Sequence, residues 1–103
     1  SAAIERVATA AGFTVVRDFV GHGIGRAMHE DPQIPNFGPP GQGPVLREGM
    51  TLAIEPMLNM GAAAVEIKED QWTVITRDRQ PSAHFEHTIA VGPQHAEILT
   101  RAD

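Results

Sequence analysis

Apolar residues Ile4, Val7, Ala8 and Ala11 recur every three or four positions, the spacing of one helical face, and Gly12 followed by Phe13 supplies a left-handed stop with an apolar contact behind it. A helix over Ala2 to Ala11 is expected. From Thr14 to Val20 the pattern turns β-branched, which predicts a strand running into Gly21-His22-Gly23-Ile24-Gly25. Between Asp31 and Pro44, Pro32, Pro35, Pro39, Pro40 and Pro44 with Gly38, Gly41 and Gly43 are too many breakers for a regular element. That stretch is expected to be a loop, packed over the sheet because prolines lower its ordering cost. Thr51–Leu58, Ala64–Lys68, Trp72–Thr76 and His84–Val91 then read as strands, with Glu69-Asp70-Gln71 turning the middle pair and the last strand continuing toward Leu99. One N-terminal helix followed by mostly strands is an α+β pattern. Neither an internal repeat, a low-complexity segment nor a domain linker interrupts it.

Composition narrows the chemistry. At 103 residues, 42% hydrophobic and 20% charged, the chain suits one small globular domain or one piece of a larger one. The net charge of −5, with no run of Lys or Arg, provides no electrostatic footprint for nucleic acid or an anionic membrane, so small molecules or peptides are the expected partners. With no Cys there is neither a disulfide framework nor a thiolate zinc site; any metal must be held by His, Asp and Glu. No apolar stretch approaches the ~20 residues of a membrane span, and Ser1-Ala2-Ala3-Ile4-Glu5 lacks the order of a signal peptide. A soluble, cytoplasmic protein is expected. The missing initial Met suggests a processed product or a fragment of something longer.

Two strand-borne acids stand out. In Thr51-Leu52-Ala53-Ile54-Glu55-Pro56, period-two alternation sets Glu55 on the face of Thr51 and Ala53, with Leu52 and Ile54 opposite. In Phe85-Glu86-His87-Thr88-Ile89-Ala90-Val91 it sets Glu86 beside Thr88 and Ala90. Both acids sit among small neighbours with no Lys or Arg in either segment, and burying a carboxylate there is costly without a cation. A lone strand glutamate is more often a solvated edge residue; two such strands shift the balance toward a metal ion. His22 lies between glycines that permit close backbone approach and leave the imidazole open, which suits a ligand nitrogen, although a single His in a glycine-rich loop is more often a hydrogen-bonding loop residue. As a phosphate loop the segment fails: the third glycine of a dinucleotide fingerprint is absent and no helical pattern follows.

Taken together, Gly21-His22-Gly23-Ile24-Gly25, Met28-His29-Glu30-Asp31-Pro32, Glu48-Gly49-Met50-Thr51-Leu52-Ala53-Ile54-Glu55-Pro56, Trp72-Thr73-Val74 and Ser82-Ala83-His84-Phe85-Glu86-His87-Thr88 resemble, in order and spacing, the C-terminal half of the pita-bread catalytic domain of type I methionine aminopeptidases. The similarity runs from the first helix to Leu99-Thr100, so residues 1–103 are expected to form that half-domain, without its N-terminal half. The first and third segments also occur in prolidases and aminopeptidases P, the alternative activity; Phe85-Glu86-His87-Thr88 with Trp72 points to the methionine branch. A non-catalytic pita-bread module that binds peptide or protein is a further alternative, against which stand intact His22, Glu55 and Glu86.

The resemblance implies that His22, Glu55 and Glu86 are metal ligands, Glu86 bridging two divalent ions (manganese, iron, cobalt or zinc). It implies that His29 contacts the substrate's peptide group and that the carboxylate at Glu55 passes on the proton as an activated water attacks the scissile carbonyl. Trp72 matches a wall of the pocket for the methionine side chain, where an aromatic face suits a thioether; a core Trp at a strand start is the equal alternative from the residues alone. Met28 stands where many relatives place an aromatic beside that pocket. His84 replaces a common Gln and receives no role. Two aspartate ligands and a further catalytic histidine of the family have no counterpart here, since Asp18 and Asp31 match no ligand position. The implied function is removal of the initiator methionine from nascent proteins by a partial catalytic domain, with at most one metal ion and little activity on this chain alone.

Overall fold

The computed structural model describes residues 1–102. Helix α1 (Ala2–Ala10) ends as Gly12-Phe13 predicts: Gly12 takes φ +88°, its N–H donates to the carbonyl of Thr9 at 3.0 Å, and the Phe13 N–H reaches back to Ala8 at 2.9 Å. This is the paired hydrogen-bond closure of a left-handed glycine stop. The helix's apolar stripe faces Pro56 and Leu58 across an apolar groove of about 480 Å³, and only Ala8 of the stripe is fully buried.

Strands β1 (Thr14–Val15), β2 (Gly21–Gly23), β3 (Glu30–Ile34), β4 (Thr51–Ile54), β5 (Met57–Asn59), β6 (Val65–Ile67), β7 (Val74–Thr76), β8 (Ser82–His84), β9 (His87–Val91) and β10 (Ala96–Ile98) follow, all paired antiparallel. They form a five-stranded sheet in the order β10-β9-β4-β2-β3, a three-stranded sheet β1-β5-β8 and the hairpin β6-β7. The α+β class, one helix and then mostly antiparallel sheet, is therefore present.

Several segments differ from the sequence pattern. The strand expected over Thr14–Val20 stops at Val15; Val16 donates one more bond to Met57, at 3.0 Å, before the chain leaves the small sheet for the large one. The loop expected from Asp31 contains strand β3 as far as Ile34, Pro32 included. Proline survives there because β3 is an edge strand and Asp31-Pro32 falls in a register shift, between the pairs Gly23–Glu30 and His22–Gln33. Only the beginning of the remaining loop packs as expected: Asn36 is buried and Gly38 donates to the Glu5 carboxylate at 3.2 Å, whereas Pro39 to Gly49 is exposed. Thr51–Leu58 and His84–Val91 are each broken in two, at Glu55-Pro56 and at Phe85-Glu86. Finally, the last strand does not run on to Leu99 but turns at Gly92–His95, where Gly92 donates to His95 at 3.1 Å, and returns as β10.

The two breaks face each other. Ile54 is opposite His87 and, one gap further on, Met57 is opposite His84, so β4 with β5 and β9 with β8 form one long ribbon in a single register. Pairing lapses where Pro56 has no N–H to give, although the Phe85 N–H still donates to the Pro56 carbonyl at 3.2 Å. Here the ribbon passes from one sheet into the other, and here Glu55 and Glu86 project.

Backbones close tightly around β2. A Cβ added to Gly21 would overlap the Ala53 carbonyl oxygen, and one added to Gly23 the Asp31 carbonyl oxygen. Because the obstacle is the backbone of the paired strand β3 and not a flexible side chain, Gly23→Ala is expected to destabilise by about 1–3 kcal/mol. Denaturant unfolding reads this directly, and wild-type stability in the variant would show that β3 yields at no cost.

At the tip of the β6–β7 hairpin, Asp70 accepts hydrogen bonds from the Thr73 hydroxyl at 2.6 Å, the Thr73 N–H at 2.8 Å and the Trp72 N–H at 3.0 Å. The Thr73 bonds first, and then Trp72's, hold its carboxyl below the ordinary aspartate value of 3.8. A depressed carboxylate adds stability above its unfolded value and loses it as pH falls through the folded one. The tip is thus expected to be tight at neutral pH and to loosen only in acid, below pH 3.8. Fluorescence of Trp72, the single tryptophan, monitors this; Asp70→Asn should loosen the tip at neutral pH and flatten the acid transition.

Candidate metal centre

Three neighbouring strands of the large sheet carry the site. His22 of β2 pairs with Ala53 of β4, and Ala53 in turn with Thr88 of β9, so the three side chains share a face. Glu55 lies two residues past Ala53 and Glu86 two before Thr88, which brings both acids to that same face at the break of the ribbon. Leu52, Ile54 and Ile89 line the opposite side, facing the start of α1 and the Pro35–Pro44 loop across a cavity of about 580 Å³. The alternation expected from sequence is therefore kept, even though both strands are interrupted.

Donor atoms of His22, Glu55 and Glu86 lie within 4.8 Å of one another. Ligands about 2.0–2.2 Å from one cation can be at most ~4.4 Å apart, so side-chain adjustments of a few tenths of an ångström suffice to enclose an ion. The tautomer fits as well. His22 is only 9% exposed, and its Nδ1 lies 2.9 Å from the carbonyl oxygen of Gly23, an acceptor, so Nδ1 carries the proton. Nε2 then presents a lone pair toward Glu55 Oε2 at 3.1 Å. Two acceptors at that separation need a positive charge between or upon them, either a proton on the imidazole or a cation bound by both. Glu86, half-exposed and opposite Glu55, adds a second negative charge. An all-oxygen and nitrogen donor set without thiolate is suited to manganese, iron, cobalt or zinc.

The other sequence-derived candidates are placed as follows. His29 comes to the site: its ring centroid is 4.1 Å from that of His22 at 47°, and both line a hollow of about 470 Å³ with Val20, Gly21, Glu30 and Gln33. Met28, on the same turn, is 73% exposed, and Trp72, at the β6–β7 tip, is 86% exposed; neither lines that hollow. His84 Nε2 is 3.9 Å from Glu86 Oε2, too long for a hydrogen bond. Sequence reasoning overlooked the carboxylate of Glu30, which the structure ties to the turn before His29; the short interval from Gly25 to Glu30 was its only signal.

The chain belongs to metallopeptidase family M24, which it matches over residues 1–93. It is similar to the methionine aminopeptidase of Clostridium perfringens, 60% identical over 97 residues, 94% of this chain and 39% of that protein. Methionine aminopeptidase 1 of Bacillus subtilis is 57% identical over 89 residues. Among solved structures, the methionine aminopeptidase of Thermotoga maritima superimposes with TM-score 0.92 at 58% identity, over 95% of this chain and 39% of that one. That of Rickettsia prowazekii also gives 0.92, at 47% identity. The fold is that of these enzymes, and the chain spans about two fifths of their length.

Proposed function

We propose that residues 1–103 are the C-terminal half of a catalytic domain that removes the N-terminal methionine from peptides and nascent proteins. The convergence of His22, Glu55 and Glu86 on one sheet face, in a chain so similar to methionine aminopeptidases, carries this reading. In it, His22 Nε2, Glu55 and Glu86 would hold the metal, and Glu86, the more exposed of the two acids at the break of the ribbon, would also serve a second ion. Bound cations would acidify a water molecule and polarise the scissile carbonyl. Glu55, enclosed more than Glu86, takes and passes on the proton. His29 binds the peptide group of the substrate from beside His22, while Met28 and Trp72 approach the methionine side chain once the rest of the domain folds against them. No helix among the described residues is long and apolar enough to cross a membrane, and a cytoplasmic site of action accords with nascent-chain substrates.

The open surface of the chain supports a fold that further protein completes. The accessible surface is 7389 Å², whereas a compact monomer of 11.1 kDa exposes about 5,700 Å². The radius of gyration is 14.5 Å against ~12.8 Å for 103 compact residues. Assay of the complete polypeptide on Met-Ala peptides and on Xaa-Pro peptides tests the assignment. Turnover of the first alone is expected; turnover of only the second would replace this reading with a proline-specific peptidase.

A further inference from the structure

The turn that carries His29 has little to hold it. After Ile24, whose N–H donates to Thr51 at 3.0 Å and whose carbonyl accepts from the Thr51 hydroxyl, residues 25–29 are all exposed. Within the turn Gly25 donates to the Ala27 carbonyl at 3.1 Å, and the Ala27 N–H donates to Glu30 Oε2 at 2.8 Å. Glu30 itself is anchored as the first residue of β3, paired with Gly23 beside His22. Its carboxylate occupies the space that a side chain at position 25 would need: a Cβ there would come 3.0 Å from Oε1 and 3.3 Å from Oε2. Gly25 and Glu30 are thus fitted to each other, and His29 lies on the arc between them.

We propose that Glu30 is a positioning residue whose carboxylate, accepting from Ala27 across the space left by Gly25, clamps the turn and thereby holds the His29 imidazole against His22. A hydrogen bond to a side-chain oxygen anchored on β3 closes the arc at the point where backbone pairing is missing. Without it, residues 25–29 are a glycine-containing exposed segment free to swing His29 away from the donor face. The Glu30 carboxylate bonds to the turn at Ala27, so its effect is expected to pass through His29. This inference rests on the aminopeptidase reading for its kinetic readout only.

The complete polypeptide is to be compared with its Glu30→Ala and Glu30→Gln variants in three measurements: Met-peptide kinetics, calorimetric manganese affinity, and the NMR cross-peak between the His22 and His29 rings. Glu30→Ala is expected to raise KM roughly tenfold with a smaller change in kcat, as misplacement of one binding group does. It should lose the cross-peak and leave manganese affinity unchanged. Glu30→Gln keeps an oxygen acceptor for Ala27 and should retain both wild-type KM and the cross-peak. Unchanged KM and cross-peak in Glu30→Ala overturn the proposal. So does a glutamine variant as impaired as the alanine one, which would assign the effect to charge, or a loss of manganese affinity, which would place it at His22. Absence of Met-peptide turnover in the wild type counts against the aminopeptidase reading alone, and the cross-peak then decides the clamp.

Discussion

Supplying the N-terminal half of a methionine aminopeptidase to this chain in trans is expected to raise Met-Ala hydrolysis by at least about a thousandfold over either half alone. Three donors, His22, Glu55 and Glu86, enclose one position on the sheet face. In the proposed reading a second cation would have Glu86 as its partner among the described residues, and a site that divides the work between two ions would lack its other ligands. The gain should therefore arise from added ligands and from closure of the hollow beside His29. Physical association should accompany it, because Val7, Val45, Met60, Ile67, Phe85 and Trp72 are all exposed, a large apolar area for so small a core. By itself the chain should be marginally folded and prone to self-association. Calorimetric titration with manganese, run beside the peptide assay, measures both halves of the expectation: at most one ion on the chain alone, and activity only after mixing. Tight uptake of two ions and full turnover by the isolated chain would falsify the incomplete-site reading.

Changing the donors should separate binding from stability. His22→Ala removes the fixed Nε2 donor and is expected to lower metal affinity on the order of 100-fold or more, since even loss of an outer partner of a metal-bound imidazole costs 10–100-fold. Glu86→Gln should weaken the metal too, yet act on the metal-free fold in the opposite sense. Glu55 and Glu86 occupy opposed positions of the ribbon with like charge, and like charges across an antiparallel pair destabilise by about 0.2–1 kcal/mol. The metal-free Glu86→Gln chain should thus be as stable as wild type or slightly more so, and less able than wild type to gain stability from added manganese. Thermal unfolding with and without the ion tests this; a glutamine variant that unfolds earlier without metal would mean that Glu86 is stabilised by contacts other than a cation.

Much of the site could be read before the structure, for local reasons. The helix stop needs only Gly12 and Phe13, because a positive φ and two short-range hydrogen bonds are properties of neighbouring residues. The shared faces of Glu55 with Ala53 and of Glu86 with Thr88 follow from strand alternation, which survives the breaks since each acid lies beyond a strand end by one residue. Gly21 and Gly23 announced close backbone approach, though not that the obstacles would be the carbonyls of Ala53 and Asp31.

What the sequence determined by itself, then, is the chemistry and the local geometry: the donor types, the absence of thiolate, the capped helix and the side of each strand on which an acid stands. Tertiary structure decided which of those faces meet. Nothing in the order of residues says that Ile54 pairs with His87 or that β2 lies beside β4, since register is fixed by contacts between segments tens of residues apart. The same long-range pairing turned Pro32 from a breaker into an edge-strand residue and folded the last strand back at Gly92. It also divided the strands expected over Thr51–Leu58 and His84–Val91 between two sheets, and at the passage, where Pro56 has no N–H to give, Glu55 and Glu86 come to face His22.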